Sequence, residues 1–158
     1  MDAECGSLES AREAALRFLD HAPRTAAEVR RRLARGGWPA EVVQAVLEGL
    51  EEAGLVDDRA FSRQWVESRA RRKGLGPARL EAELRQRGVD REALEEALAQ
   101  VDAQAALESA VEAARRRFGA ENLEDPAVRR RVGEFLRRRG HTREAIEQVF
   151  ARMGANTM

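Results

Sequence analysis

Apolar residues along the chain fall at helical spacing. Val29 and Leu33, Leu80 and Leu84, and Val132 and Leu136 form three i, i+4 pairs, each ending four residues before a glycine: Gly37, Gly88 and Gly140. Residues four apart share one face of a helix. A glycine just past the last helical residue takes the left-handed conformation that ends it. Six, ten and thirteen residues after each glycine apolar positions return: Val43, Leu47 and Leu50, then Leu94, Leu98 and Val101, then Ile146, Phe150 and Met153. That spacing places one buried stripe on a second helix. Each glycine therefore marks a tight helix–turn–helix corner. No stretch alternates apolar and polar residues long enough to predict a sheet.

A further helix precedes each pair. The first is expected from Leu8 to His21, with Leu16 and Leu19 inward. The second starts after Asp57-Asp58, either of which can cap it, and carries Phe61, Trp65 and Val66. The third runs from Ala103 to Phe118, with Leu107, Val111 and Phe118 inward. Thr25-Ala-Ala-Glu28 reads as a capping box, and Asp125-Pro126 as a cap before a proline at the first helical position. Gly74-Leu-Gly76-Pro77 is a turn, as is the longer connection from Gly119 to Glu124. Glycines 51 and 52 residues apart make this a repeat, and repeats of this length stack because one unit cannot bury its apolar face alone. The expected organisation is an N-terminal tail over 1–10, three-helix repeats over 11–56, 57–102 and 103–153, and a C-terminal tail over 154–158.

Composition strengthens the all-α reading: Ala, Leu, Glu and Arg dominate, and all four are strong helix formers. The 28 basic and 28 acidic residues cancel, which argues against a general DNA-coating protein. Lys73 is the one lysine; the arginine preference is best explained by codon bias in a GC-rich genome. Charge is segregated along the chain. Residues 11–40 carry seven basic and three acidic side chains, and 41–60 one and six. Residues 61–91 carry nine and four, 92–114 none and six, and 115–144 ten and five. Charge runs are mostly solvated helix faces. Basic clusters at a fixed period also suit a periodic partner, such as a filament or a nucleic-acid strand. The candidate contact residues are Arg31, Arg35, Arg69, Arg72, Lys73, Arg130, Arg137 and Arg138. On a helix with Val29 and Leu33 inward, Arg31 and Arg35 point most nearly away from the core.

Recognisable active-site chemistry is lacking. There is no P-loop, and one cysteine (Cys5) with two distant histidines makes neither an internal disulfide nor a standard zinc site. His21 reads as a helix C-terminal residue and His141 as part of a turn before the cap Thr142. Asp57-Asp58 reads as a cap. Ser62, Ser68 and Ser109 have no histidine suitably placed. Trp38 is expected to close a helix end, and Trp65 to lie in the core. The expectation is a non-enzyme with no catalytic residue, metal or cofactor. No apolar run approaches the ~20 residues of a membrane span, and the acidic start is unlike a signal peptide, so a cytoplasmic location is expected.

Two stretches resemble the RecX family: Gly54-Leu-Val-Asp57-Asp58-Arg-Ala-Phe61 with Trp65, and Gly76-Pro-Ala-Arg79-Leu80-Glu-Ala-Glu-Leu84-Arg-Gln-Arg-Gly88-Val89. Weaker copies surround Gly37 and Gly140, and the resemblance covers residues 11 to 153. His141 departs from it, standing where an apolar residue is expected. The resemblance implies an all-α fold, an elongated, curved tandem array of three helix-turn-helix-like repeats. It also implies a regulator that binds the RecA recombinase filament and modulates, mostly inhibits, its ATPase, strand exchange and co-protease activities in DNA repair and the SOS response. Single- or double-stranded DNA is a further implied partner, a membrane is not, and a monomer is expected. Two other classes fit the residues: a helix–turn–helix nucleic-acid-binding regulator, and a general helical-repeat adaptor.

Overall fold

The computed structural model describes residues 2–155. It contains, among those residues, nine helices and no strand. They are α1 (Asp2–His21), α2 (Ala26–Arg35), α3 (Ala40–Glu52), α4 (Asp58–Lys73), α5 (Pro77–Gln86), α6 (Arg91–Ala99), α7 (Ala103–Phe118), α8 (Pro126–Arg138) and α9 (Arg143–Ala155). Three helices thus precede or flank each turn glycine, in the order the periodicity predicts. α1 takes in residues 2–10, which the apolar pattern leaves outside the first repeat. Of the tail read over 154–158, residues 156–158 lie outside the described residues, as does the Cys5 side chain.

The corners form as their glycines require. Gly37, Gly88 and Gly140 have φ of 88°, 75° and 89°. At the second, the Gly88 N–H donates to Arg85 O at 3.0 Å and the Val89 N–H to Leu84 O at 3.2 Å. At the third, Gly140 donates to Arg137 O at 2.9 Å and His141 to Leu136 O at 3.1 Å. Paired bonds of this kind satisfy the last carbonyls of a helix. The helix starts are capped as read. Thr25 Oγ1 accepts from the Glu28 N–H at 3.2 Å, Asp125 caps α8, and Thr142 Oγ1 accepts from Ala145 at 3.2 Å. Of the two adjacent aspartates, Asp57 is the cap, accepting from Arg59 and Ala60 at 3.1 Å each.

The chain divides into two compact units. The first runs up to Ser62 and adds Leu84–Leu94; the second takes Arg63–Glu83 and the chain from Glu95 onward. The division passes through α4, α5 and α6, so the middle repeat contributes to both. In the first unit α1 packs on α2 and α3. Its core joins Val29, Leu33, Val43, Leu47 and Leu50 to Ala11, Ala14 and Ala15. Leu16 and Leu19, expected inward, are only half-buried at its edge; the alanines take the seam because their small size lets α1 approach α3 closely. In the second unit α7 packs on α8 and α9 over Val111, Phe118, Val128, Val132, Leu136, Val149 and Met153. Ile146 and Phe150 flank that core, and Phe118 meets Phe135 edge to face at 5.4 Å. Val101 falls beyond the end of α6 and is half-buried.

Two tryptophans separate in role. Trp38 lies half-buried on the first core and folds its ring over Gly36, while its indole N–H donates to Ser10 Oγ at 3.2 Å. It closes the helix end as read. Trp65, expected in the core, is half-buried instead. Its N–H donates to Glu83 Oε2 at 3.0 Å, and the Arg69 guanidinium stacks on its ring at 4.2 Å. A ring with a polar tip and a cationic lid settles at a rim.

Candidate functional site

The basic candidates of the first unit lie on α2. Its apolar stripe, Val29 and Leu33, is fully buried, which turns Arg31 and Arg35 outward. Both are exposed, and among the described residues neither has a hydrogen bond or ion pair. Arg30, also exposed, donates to Gln44 Oε1 at 3.5 Å on the α3 side, and Arg32 is half-buried. Arg31 and Arg35 share a groove of about 510 Å³ with Ala34, Glu28, Gln86 and Arg87. One wall is thus the C-terminal turn of α5, brought against α2 within the same unit.

The second unit disperses its candidates. Arg69 is occupied on Trp65. Arg72 and Lys73 are exposed at the end of α4. Arg130 and Arg137 line a shallow groove with Gly133, Glu134, His141 and Arg143, where Glu134 and Glu147 dilute the positive charge. Arg138 is exposed, and its Nε donates to Glu134 O at 3.4 Å. So the structure gathers Arg31 with Arg35, and Arg130 with Arg137, each pair in its own groove.

Sequence reasoning missed the residues that join one repeat to the next. Arg87 and Arg139 stand immediately before Gly88 and Gly140. The Arg87 carbonyl accepts from Thr25 Oγ1 at 2.7 Å, and the Arg139 carbonyl accepts from the Gly76 N–H at 2.6 Å. Thr25 and Gly76 each lie twelve residues before the turn glycine of their own repeat. The two joints are therefore built on equivalent positions. Each needs a missing side chain. A Cβ on Gly88 would lie 2.6 Å from Ala27 Cβ, and one on Gly140 would collide with the backbone of Arg79.

The arginine side chains at the two joints diverge for an electrostatic reason. Arg87 grips Glu28 with Nε at 2.7 Å from Oε1 and Nη2 at 3.1 Å from Oε2. Burial alone would raise the Glu28 pKa; the bonds and charge of Arg87, with the Thr25 bonds, overrule it and hold the carboxyl below its ordinary value. At the second joint the position of Glu28 is taken by Arg79, itself paired with Glu83 at 3.4 Å. Arg139 accordingly turns away and donates through Nη1 to the Lys73 carbonyl, at the C-terminal end of α4. There a cation meets the negative end of the helix dipole.

His141 completes this joint. Its ring is buried, with Nε2 at 2.6 Å from Gly74 O. A carbonyl only accepts, so Nε2 carries the proton. Burial, and then the neighbouring Arg139 charge, push its pKa below the ordinary histidine value against the opposing pull of the Gly74 bond. The turn assigned to His141 from sequence is correct, and its buried contact with Gly74 adds to it. An Arg before the second and third turn glycines, but Gly36 before the first, was the available signal for the joints.

Among the described residues no three His, Cys, Asp or Glu side chains gather as a metal site would require. No described helix is long and apolar enough to cross a membrane. A further groove of about 320 Å³ in the second unit is lined by Val66, Ala97, Val101 and Ala105 together with Arg63, Glu67, Asp102 and Ser109.

Family models described as the first, second and third three-helix domains of RecX match residues 11–50, 57–98 and 104–150. The chain is 42% identical over 155 residues to the regulatory protein RecX of Mycolicibacterium vanbaalenii, an alignment covering 94% of this chain and 84% of that protein. It is 40% identical over 150 residues to the regulatory protein RecX of Mycobacterium avium, covering 93% and 87%. The crystal structure of RecX from Lactobacillus salivarius superposes with a TM-score of 0.85 at 18% identity, covering 96% of this chain and 99% of that one.

Proposed function

This chain belongs to the RecX family, and on that premise we propose that it binds the RecA recombinase and its nucleoprotein filament. Binding restrains RecA's ATPase, strand exchange and co-protease activities, in the cytoplasm, without any catalysis by the chain itself. The observation that carries the reading is the pair Arg31 and Arg35. They are exposed guanidinium groups one helical turn apart, with no partner of their own among the described residues. Arg72, Lys73, Arg130, Arg137 and Arg138 offer further exposed cations in the second unit. Exposed charges held in repeated folds act through encounter and orientation, and their loss slows and weakens association.

The test is RecA's DNA-dependent ATPase titrated with the wild-type chain and with Arg31→Glu/Arg35→Glu/Arg72→Glu/Arg138→Glu. All four side chains are exposed, and circular dichroism of the variant checks that its helices persist. Inhibition by the wild type and its loss in the variant is the expected result. Equal inhibition by both removes the basic surface from the mechanism.

A further inference from the structure

We infer that the groove between α2 and the end of α5 is a docking site for an acidic helix of a protein partner. Arg31 and Arg35 clamp two of its carboxylates spaced one turn apart. The inference deepens the function proposed above and rests on it.

Three observations point to this groove. Arg31 and Arg35 are i, i+4 on α2 and carry no internal partner, whereas Arg87, on the same groove, is engaged with Glu28 at 2.7 Å. The groove is also pre-organised. Arg87 is locked by its two bonds to Glu28 and by the Thr25 bond to its own carbonyl. The absence of a side chain on Gly88 leaves the room beside which Arg31 Nη2 lies. Third, α2 ends at Arg35 and α5 at Gln86, so two helix C-termini converge here. Their partial negative charge holds the guanidinium groups in place, and Glu28 already neutralises Arg87, so Arg31 and Arg35 carry the charge left to meet a ligand.

The chemistry selects the ligand. A guanidinium offers a planar fork that a carboxylate fills with two parallel bonds. Two carboxylates four residues apart on a partner helix repeat the Arg31–Arg35 spacing. A nucleic-acid strand presents the same anionic oxygens but as a continuous polyanion. Beside α2, helix α3 exposes Glu41, Glu48, Glu51 and Glu52. A continuous polyanion crossing this unit spans that acidic face as well, whereas a short acidic helix is confined to the groove.

The experiment uses the full chain and two fluorescein-labelled probes of equal net charge: a helical peptide with two Glu–x–x–x–Glu pairs, and a single-stranded oligonucleotide. Fluorescence anisotropy is read at low salt for the wild type, for Arg31→Gln/Arg35→Gln, and for Arg12→Gln/Arg17→Gln on α1, outside the groove. The peptide should bind the wild type more tightly than the oligonucleotide does. It should weaken about tenfold in the groove variant and by under about twofold in the α1 variant. Arg31→Lys/Arg35→Lys, which keeps the charge but not the fork, should fall between. An oligonucleotide bound more tightly than the peptide, or equal peptide loss in both neutralised variants, overturns the inference. The RecA ATPase assay separates the two levels. If RecA is inhibited equally by wild type and Arg31→Gln/Arg35→Gln, the groove assignment fails while RecA regulation stands. If the wild type leaves RecA unaffected, RecA regulation fails and the peptide arm still judges the groove.

Discussion

Removing one hydroxyl group, that of Thr25, should test how much the first joint contributes to stability. Thr25 is fully buried. Its oxygen accepts from the Glu28 N–H and its proton goes to the Arg87 carbonyl, so one group both caps α2 and ties it to the next repeat. Thr25→Val keeps the shape and deletes both bonds. Loss of a cap costs about 1 kcal/mol, and a buried acceptor left without a donor costs about 1–3 kcal/mol. The expected loss is therefore roughly 2–4 kcal/mol. Thr25→Ser keeps the hydroxyl and removes one methyl group, worth about 0.8 kcal/mol, so the difference between the two variants isolates the bonds. Urea unfolding followed by Trp38 fluorescence in a Trp65→Phe background reads the first unit. With a slope of about 1–3 kcal/mol/M, the midpoint of Thr25→Val should fall by about 0.7 M or more. If Thr25→Val is no less stable than Thr25→Ser, the hydroxyl is not holding the joint and the reasoning is wrong.

Glycine substitutions should split by position. Gly133→Ala, inside α8 with nothing within 4 Å of the new Cβ, should stabilise by about 0.5–1 kcal/mol. Gly140→Ala meets the Arg79 backbone at a positive φ and should cost more than about 1–2 kcal/mol; thermal melts of both variants decide this. Because His141 titrates below its ordinary value in the fold, the neutral ring is the native form. Its contribution is fully present above about pH 6.5 and is lost as pH falls through and below that value. Unfolding free energy measured at falling pH should therefore decline, and less steeply in His141→Gln; parallel curves for the two proteins would count against the buried neutral histidine.

Much of the fold was legible because its determinants are local. Leu33, Leu84 and Leu136 sit at the same distance from glycines whose left-handed φ is an intrinsic allowance of that residue, and Thr25, Asp125 and Thr142 cap through neighbours three residues away or fewer. What escaped was non-local. Nothing near Trp65 in sequence announces that Glu83, eighteen residues on, will draw its indole N–H to a rim. The alanines of α1 give no hydrophobic signal comparable to Leu16 and Leu19, yet close helix approach favours them at the seam. At the candidate site, outward-facing Arg31 and Arg35 followed from the helical period alone. Their meeting with Arg87, more than fifty residues away, depends on how α5 returns to α2 and is written in no local pattern.

The residue just ahead of each corner acts as an address within the chain. Where it is Arg, as at Arg87 and Arg139, its carbonyl takes a donor from the preceding repeat, and the corner is an inner link. Where it is Gly36, the space a side chain would need is filled by the ring of Trp38, and the corner is sealed by its own repeat. Lengthening the chain by inserting another repeat ahead of the first would thus require more than a duplicated segment. It would require Gly36 and Trp38 to be rewritten toward Arg and toward the smaller Val or His found after the inner corners, so that this corner could receive a neighbour as they do. The residues flanking a corner's glycine thus distinguish a corner that receives a neighbouring repeat from one closed by its own ring.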